Sequence, residues 1–354
     1  LYGKCQFEFL AQNPGNPMPV FETRPIGRTK LKVSIFGQGG APLGGNLAPV
    51  GPTQAAATLQ AAWDAGIRYY DTAPFYGYGL SEHYFGNALR EHERGDYVLS
   101  TKVGRLLKPR SKPQAPNDPW KRPLPFEPVF DYSYDAVMRS FEDSLQRLGL
   151  NKIDILLIHD IGATTHFENH APMMKAAMEG GYKALQKLRA EGVIGALGMG
   201  VNEWEVCMEA MGHGDFDVFL LAGRYTLLEQ EALTAFLPEC QKRGTTIIIG
   251  GPFNSGILAM GAKPGATYNY EPAPKEIMDK VARIEQVCAD HKVALPAAAL
   301  QFPLTHPSIC SVIPGSRSVE ELQRNLELFR TPIPAALWRD LKSAGLMRPD
   351  APTP

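Results

Sequence analysis

From Lys32 onward, short runs of β-branched, aliphatic and aromatic residues alternate with longer segments whose apolar positions recur at helical spacing. VSIFG (33–37) precedes TQAAATLQAAWDAG (53–66), IRYYDT (67–72) precedes SEHYFGNALRE (81–91), and YVLSTK (97–102) precedes DAVMRSFEDSLQRLG (135–149). IDILLIH (153–159) leads to GGYKALQKLRAEG (180–192), VIGALGMG (193–200) to EWEVCMEAM (203–211), and DVFLLA (217–222) to EQEALTAFLPECQKRG (229–244). TTIIIG (245–250) and ICSVIP (309–314) complete the set, and SVEELQRNLELF (318–329) follows the last. The short runs predict strands and the long ones helices.

Four of the helical patterns end in glycine just before a strand run, at Gly66, Gly149, Gly192 and Gly244. Glycine there supplies the left-handed cap that turns the chain back into a strand. Strand-then-helix units in succession imply parallel strands, because each crossover helix returns the chain to the same end of the sheet. The strand runs are continuously apolar, as expected when both faces are buried. Eight such units close into a (β/α)8 TIM barrel, an α/β fold, more naturally than they extend an open sheet. The spacing predicts one barrel domain over residues 18–354. Residues 1–17, with mixed polarity and an N-P-G-N-P ending before Met18, read as a leader or an appended extension. Two long connections, near 103–134 and 251–274, follow strands and are expected to be lids over the catalytic face.

Composition narrows the function classes. In 354 residues, 36 Lys+Arg balance 37 Asp+Glu for a net charge of -1, which supplies no basic stripe for nucleic acid. No apolar run is long enough to span a bilayer, so a cytoplasmic protein without a membrane partner is expected. The five cysteines are scattered, with no C-x-x-C pair. His166 and His170 stand four apart but lack the rest of a zinc motif, so no metal site is expected. Neither a G-x-G-x-x-G after the first strand nor a P-loop occurs. The Gly-rich FGQGGAPLGGN (36–46) reads as a tight or mobile loop over a site.

In a barrel of this type, polar residues at the carboxyl ends of strands are the candidates for chemistry. Those ends carry Asp71 after IRYY, Lys102 after YVLST and His159 after IDILLI, and Tyr76 lies in the loop DTAPFYGYG just beyond Asp71. Each residue alone has a plainer reading: a turn cap for Asp71, a solvated charge for Lys102, a core histidine for His159, part of an apolar wall for Tyr76. Together they suit proton transfer at a carbonyl or hydroxyl oxygen. A neighbouring ammonium favours a phenolate, so Lys102 is expected to lower the Tyr76 pKa, Asp71 to hold Lys102, and His159 to place the substrate oxygen.

The segments AGIRYYDTAPFYGYGLSEHYFGNAL, VLSTKVG, IDILLIH and IPGSRSVEELQRNL resemble the aldo-keto reductase superfamily in order and spacing, from about Lys32 to Phe329. The resemblance implies that Asp71, Tyr76, Lys102 and His159 are the catalytic tetrad and that a nicotinamide dinucleotide binds without a Rossmann domain. For that cofactor it points to Asn202, Phe253, Ser255, Gly256 and Leu258, and at the adenosine end to Gly315, Ser316, Arg317, Glu321 and Asn325. Three positions depart from the family pattern: Val201 stands for a serine, Ala222 or Gly223 for a glutamine, and Gly250 for a stacking aromatic.

The motifs GGPFNSGIL, ALGMGVNEWE and FGQGGAPLGGN are most similar to the branch of aldose 1-dehydrogenases (D-threo-aldose, L-fucose and L-galactose types) and pyridoxal 4-dehydrogenases. That branch implies NAD(P)-dependent oxidation of the C1 hemiacetal hydroxyl of an aldose to the lactone. The alternatives are pyridoxal oxidation, general NADPH-dependent reduction of aldehydes and ketones, or, in another class, a non-catalytic nucleotide-binding regulatory subunit. NAD is the expected cofactor over NADP, because the position of a 2'-phosphate-binding basic residue falls on Glu321. On the same helix Glu320 and Arg324 stand at pairing distance. The expected partner is a small sugar or aldehyde, and the expected state a monomer or small homo-oligomer.

Overall fold

The computed structural model describes residues 21–115 and 117–354, so the expected leader lies outside the described residues. Eight parallel strands form one sheet: β1 (Gln38–Gly39), β2 (Tyr69–Asp71), β3 (Val98–Val103), β4 (Ile155–His159), β5 (Ala196–Val201), β6 (Val218–Ala222), β7 (Thr246–Gly250) and β8 (Ile309–Ile313). They pair in chain order, and parallel bridges Phe36–Val312 and Gly39–Gly315 bring the two edges together. The sheet is thereby a nearly closed barrel, the fold the repeat pattern predicts. Around it lie α1 (Pro52–Asp64), α2 (Leu80–Leu89), α3 (Tyr134–Leu148), α4 (Tyr182–Ala190), α5 (Trp204–Met211), α6 (Phe236–Arg243), α7 (Lys275–Asp290), α8 (Leu295–Gln301), α9 (Val319–Arg330) and α10 (Ala335–Ser343).

Side chains alternate across a strand, so each strand serves two cores. Tyr69, Ile155, Leu157, Ala196, Val218 and Ile248 fill the barrel, whereas Tyr70, Leu156, Ile158, Leu197 and Ile249 pack outward against the helices. Burial on both faces is why the runs are continuously apolar. The anticipated cap glycines Gly66, Gly149, Gly192 and Gly244 all adopt positive φ.

The structure departs from the pattern in places. The run 33–37 is split: Lys32–Ser34 pairs with Thr23–Pro25 as an antiparallel hairpin, and the barrel strand begins only at Gln38. Ile26 and Val33 of that hairpin join the barrel-interior cluster. The helical pattern at 229–244 yields a short 3-10 turn at Glu231–Leu233 and an α-helix only from Phe236, because Pro238 is tolerated in a first turn and not deeper. Both expected lids carry β-hairpins, Arg105–Pro109 with Phe126–Phe130 and Thr267–Tyr268 with Glu271–Pro272. Among the described residues, no helix is long and apolar enough to cross a membrane.

Candidate active site

The barrel-facing alternation of Tyr69 and Ile155–Leu157, carried on two residues at a time, aims Asp71 and His159 into the barrel at its carboxyl end, with Lys102 beside them on β3. Lys102 Nζ donates to Asp71 Oδ2 at 2.8 Å and to the Thr72 carbonyl at 2.9 Å. Ser100 Oγ donates to the other Asp71 oxygen at 2.7 Å, so the carboxylate is held from two sides. The lysine stem needs space on the facing strand. A Cβ on Gly200 would lie 3.0 Å from Lys102 Cε, which makes a residue without a side chain part of the site.

Tyr76 comes from the loop after β2. Its ring centre lies 4.7 Å from Lys102 Nζ and 5.9 Å from the His159 ring, nearly perpendicular to the latter. Phe75 and Trp120 complete an aromatic wall, with Trp120 tilted 5.6 Å from Tyr76. The Gly-rich segment 36–46 presses on this loop: a Cβ on Gly44 would meet the Tyr76 carbonyl carbon at 2.6 Å. All four strand-end and loop candidates are therefore brought together.

Their electrostatics differ from the sequence expectation in one respect. Burial, reinforced by the Asp71 and Asp160 carboxylates, holds the Tyr76 phenol well above its ordinary value, and Arg105 is the cation that opposes this. Lys102 faces the ring and is committed to Asp71 and Thr72, so the expected lowering by Lys102 is not what dominates. Burial, with Arg105 and Lys102 nearby, pushes His159 far below the usual imidazole range and keeps it neutral. Burial also raises Asp71, against the lysine and its hydrogen bonds.

Sequence reasoning passed over Arg105 and Asp160. Arg105 Nη2 donates to Asp160 Oδ2 at 2.8 Å, and that same oxygen lies 3.4 Å from His159 Nε2. The available signal was position alone, since both are charged residues just past strand ends. His166 and His170 are used separately, against Tyr132 Oη and the Glu209 carboxylate.

The residues expected to hold a dinucleotide line the same end on β5 to β8. Among the described residues Asn202 makes only long contacts, 3.5 Å from its Nδ2 to the Ala222 carbonyl and 3.4 Å to Tyr270 Oη. Beside it stand Gly223 and Gly251, both of positive φ, where an added Cβ would come into ordinary contact at 3.5 and 3.6 Å. Ser255 and Gly256 have positive φ, and Ser255 Oγ accepts from the Tyr270 amide at 3.0 Å. Phe253 packs half-buried on the core, whereas Leu258 is wholly within it and its amide is bound to the Phe253 carbonyl, so its side chain supports the loop from beneath.

Gly315 sits against Pro42, and Asn325 Nδ2 donates to Ser316 Oγ at 3.2 Å. Arg317 closes on Glu321: its amide donates to Oε2 at 2.8 Å and its Nε to Oε1 at 3.0 Å. Glu321 therefore takes the i, i+4 partner, and a Glu320–Arg324 pair, which the spacing allows, is not among the ion pairs of the described residues. A serine N-cap at Ser318 places Glu321 in the first turn, one turn from Arg317.

Residues 36–345 match the sequence profile of the aldo/keto reductase family. Pyridoxal 4-dehydrogenase of Microbacterium luteolum is 48% identical over 337 residues, covering 92% of this chain and 98% of that protein. D-threo-aldose 1-dehydrogenase of a Pseudomonas species is 40% identical over 330 residues, covering 92% and 96%. Among solved structures, glycerol dehydrogenase from Gluconobacter oxydans superposes with a TM-score of 0.71 at 21% identity, covering 94% of this chain and 97% of that one. An aldo-keto reductase from Bacillus halodurans does so with a TM-score of 0.70 at 23% identity, covering 91% and 96%. At those identities the likeness concerns the fold.

Proposed function

The chain belongs to the aldo/keto reductase family of oxidoreductases that act on CH–OH groups with a nicotinamide dinucleotide, and from that premise we propose that it oxidises the carbinol of a cyclic hemiacetal to a lactone. Aldoses and pyridoxal, the substrates named for the two relatives, both carry an aldehyde that closes on a hydroxyl of the same molecule. Pyridoxal therefore joins the aldoses at the head of the candidates. The observation that carries the reading is the joint placement of the Asp71–Lys102 pair beneath the Tyr76 ring with neutral His159 facing it.

In this reading the four residues are the catalytic tetrad. His159, kept neutral by its burial, donates a hydrogen bond to the reacting oxygen and orients it. Tyr76 takes the hydroxyl proton as the carbon gives up hydride, and the carbinol becomes the lactone carbonyl. Run backwards, the same phenol delivers the proton to a carbonyl. Lys102, fixed by Asp71, faces the ring and positions it, and Arg105 is the cation whose charge favours the anionic form that Tyr76 passes through. The aromatic wall of Phe75 and Trp120 keeps bulk water from the transferring proton.

The residues on β5 to β8 fit a dinucleotide. The weakly engaged Asn202 amide would meet a carboxamide, and Gly223 and Gly251 beside it put no side chain in the way of a flat ring. Ser255 and Gly256 would cover the pyrophosphate, and Ser316, Arg317, Glu321 and Asn325 would hold the adenosine end. The bound dinucleotide supplies the hydride acceptor. NAD is the proposed preference, because Arg317 is already neutralised by Glu321.

The test is a panel of aldoses and pyridoxal with NAD or NADP at mildly alkaline pH, read by nicotinamide absorbance. Reduction of dinucleotide by at least one hemiacetal is expected. Inertness toward all of them, with simple aldehydes reduced by NADPH, would replace this reading with a general reductase.

A further inference from the structure

Consecutive strand residues point to opposite faces, yet His159 and Asp160 bring their polar ends within 3.4 Å of each other. The cause is local. Asp160 has a φ of 47°, in the left-handed region that aspartate visits only at some cost. It is pinned there by its amide, which donates to the Gly200 carbonyl at 3.0 Å. Tyr132 Oη reinforces the turn by donating to the His159 carbonyl at 2.8 Å. A strained residue held this firmly directs a carboxylate to the place where His159 presents its nitrogen.

Opposite stands Arg105, 5% exposed, its guanidinium 4.3 Å from the Phe75 ring centre and 4.6 Å from that of Phe130. Among the described residues, only its Nη2 has an acceptor, Asp160 Oδ2. Nε and Nη1 are buried without a partner among the described residues, as is Trp120 Nε1 on the neighbouring aromatic wall. A buried charged donor left unmet is costly, and such donors in native sites are met by water or by a ligand oxygen. Neither is a bare aldehyde the best match, since it would leave them unmet, nor a substrate carboxylate, which Asp160 would repel.

We propose that the Arg105–Asp160 pair is the substrate-discriminating element of this site and receives a neutral hydroxyl borne next to the carbon that exchanges hydride. A hydroxyl is the group that satisfies both sides at once, accepting from Arg105 and donating to Asp160. The C2 hydroxyl of an aldose has this chemistry and this place, whereas the acidic ring hydroxyl of pyridoxal, one carbon further from the reacting centre, is ionised at alkaline pH and has no proton for Asp160. The two ion pairs, Asp71–Lys102 and Asp160–Arg105, leave the pocket without net charge, which suits a neutral polyol. The inference rests on the hemiacetal-oxidising reading and names what selects among hemiacetals.

The test compares matched substrates: D-arabinose with 2-deoxy-D-ribose, and L-fucose with 2-deoxy-L-fucose. In the unmodified enzyme the hydroxylated member of the accepted pair is expected to exceed its deoxy partner in kcat/KM by at least about tenfold, the worth of one charge-assisted contact. In Arg105→Met the ratio should fall towards one, with dinucleotide affinity, read by quenching of protein fluorescence, unchanged. Arg105→Lys should recover part of it. A ratio near one in the unmodified enzyme overturns the inference while leaving the dehydrogenase reading intact, and so does an unchanged ratio in Arg105→Met. If Arg105→Met does not fold, the unmodified enzyme's ratio decides alone. No turnover of either sugar pair overturns the inference, and inertness toward pyridoxal as well, with either dinucleotide, overturns the reading with it.

Discussion

Lys102 and Asp71, from adjacent strands, form an ion pair at 2.8 Å with side chains that are 1% and 2% exposed. Two charges withdrawn this far from water are held by each other and by few hydrogen bonds, so removing one strands its partner. Lys102→Met is expected to cost about 3–5 kcal/mol of folding stability, measured by denaturant titration. The double variant Asp71→Asn/Lys102→Met should regain most of that while remaining inactive. A single variant as stable as the parent would show that the pair is not what holds the pocket.

Much of this was legible from periodicity. Continuous apolar runs, glycine caps and eight repeats specify a barrel because each feature is local, and the strand-end Asp71, Lys102 and His159 follow from counting by two. What was hidden depends on chain segments far apart in sequence. Arg105 and Asp160 read as ordinary loop charges until the left-handed turn at Asp160 brings them together. The space for Lys102 is made by Gly200, on a strand whose glycines carry no chemical signature. The Arg317–Glu321 pair was missed for another reason: helical spacing alone equally permits Glu320–Arg324, and the N-cap at Ser318 sets which carboxylate meets Arg317.

The high phenol pKa of Tyr76 dictates opposite pH behaviour in the two directions. Oxidation needs the base form, so kcat for oxidation should climb through the alkaline range, whereas reduction needs the phenol and should stay level between about pH 6 and pH 9. Because the Asp160 carboxylate contributes to raising the phenol, Asp160→Asn should move the oxidative limb to lower pH. An unmoved limb would mean that Asp160 does not act on Tyr76.

Cofactor choice is set by whether Arg317 is free. Glu321→Gln removes the charge that holds it, and kcat/KM for NADP is expected to rise about tenfold relative to NAD, the effect of one charge-assisted contact to the 2'-phosphate. A parent enzyme already preferring NADP tenfold would refute the NAD assignment.

His306 offers a check on the frame away from the site. Its ring is buried, Nδ1 accepts from the Ser308 amide at 3.1 Å, and burial lowers its pKa to about 4. The unfolded chain thus binds a proton that the folded one does not, and stability should fall as pH drops from about 6.5 towards 4, by on the order of 3 kcal/mol at the low end. His306→Gln should flatten that part of the pH–stability curve; an equally steep curve would assign the loss to other groups.

The central claim is that Tyr76 moves the proton. The direct measurement is kcat of Tyr76→Phe beside its dinucleotide affinity, the latter read by fluorescence quenching. The account predicts a fall of about 10²- to 10⁴-fold in kcat with dinucleotide affinity unchanged, because the hydroxyl acts on the substrate and not on the cofactor. A Phe variant that keeps more than about a third of the parent kcat would contradict it, since a general acid–base group contributes far more than that.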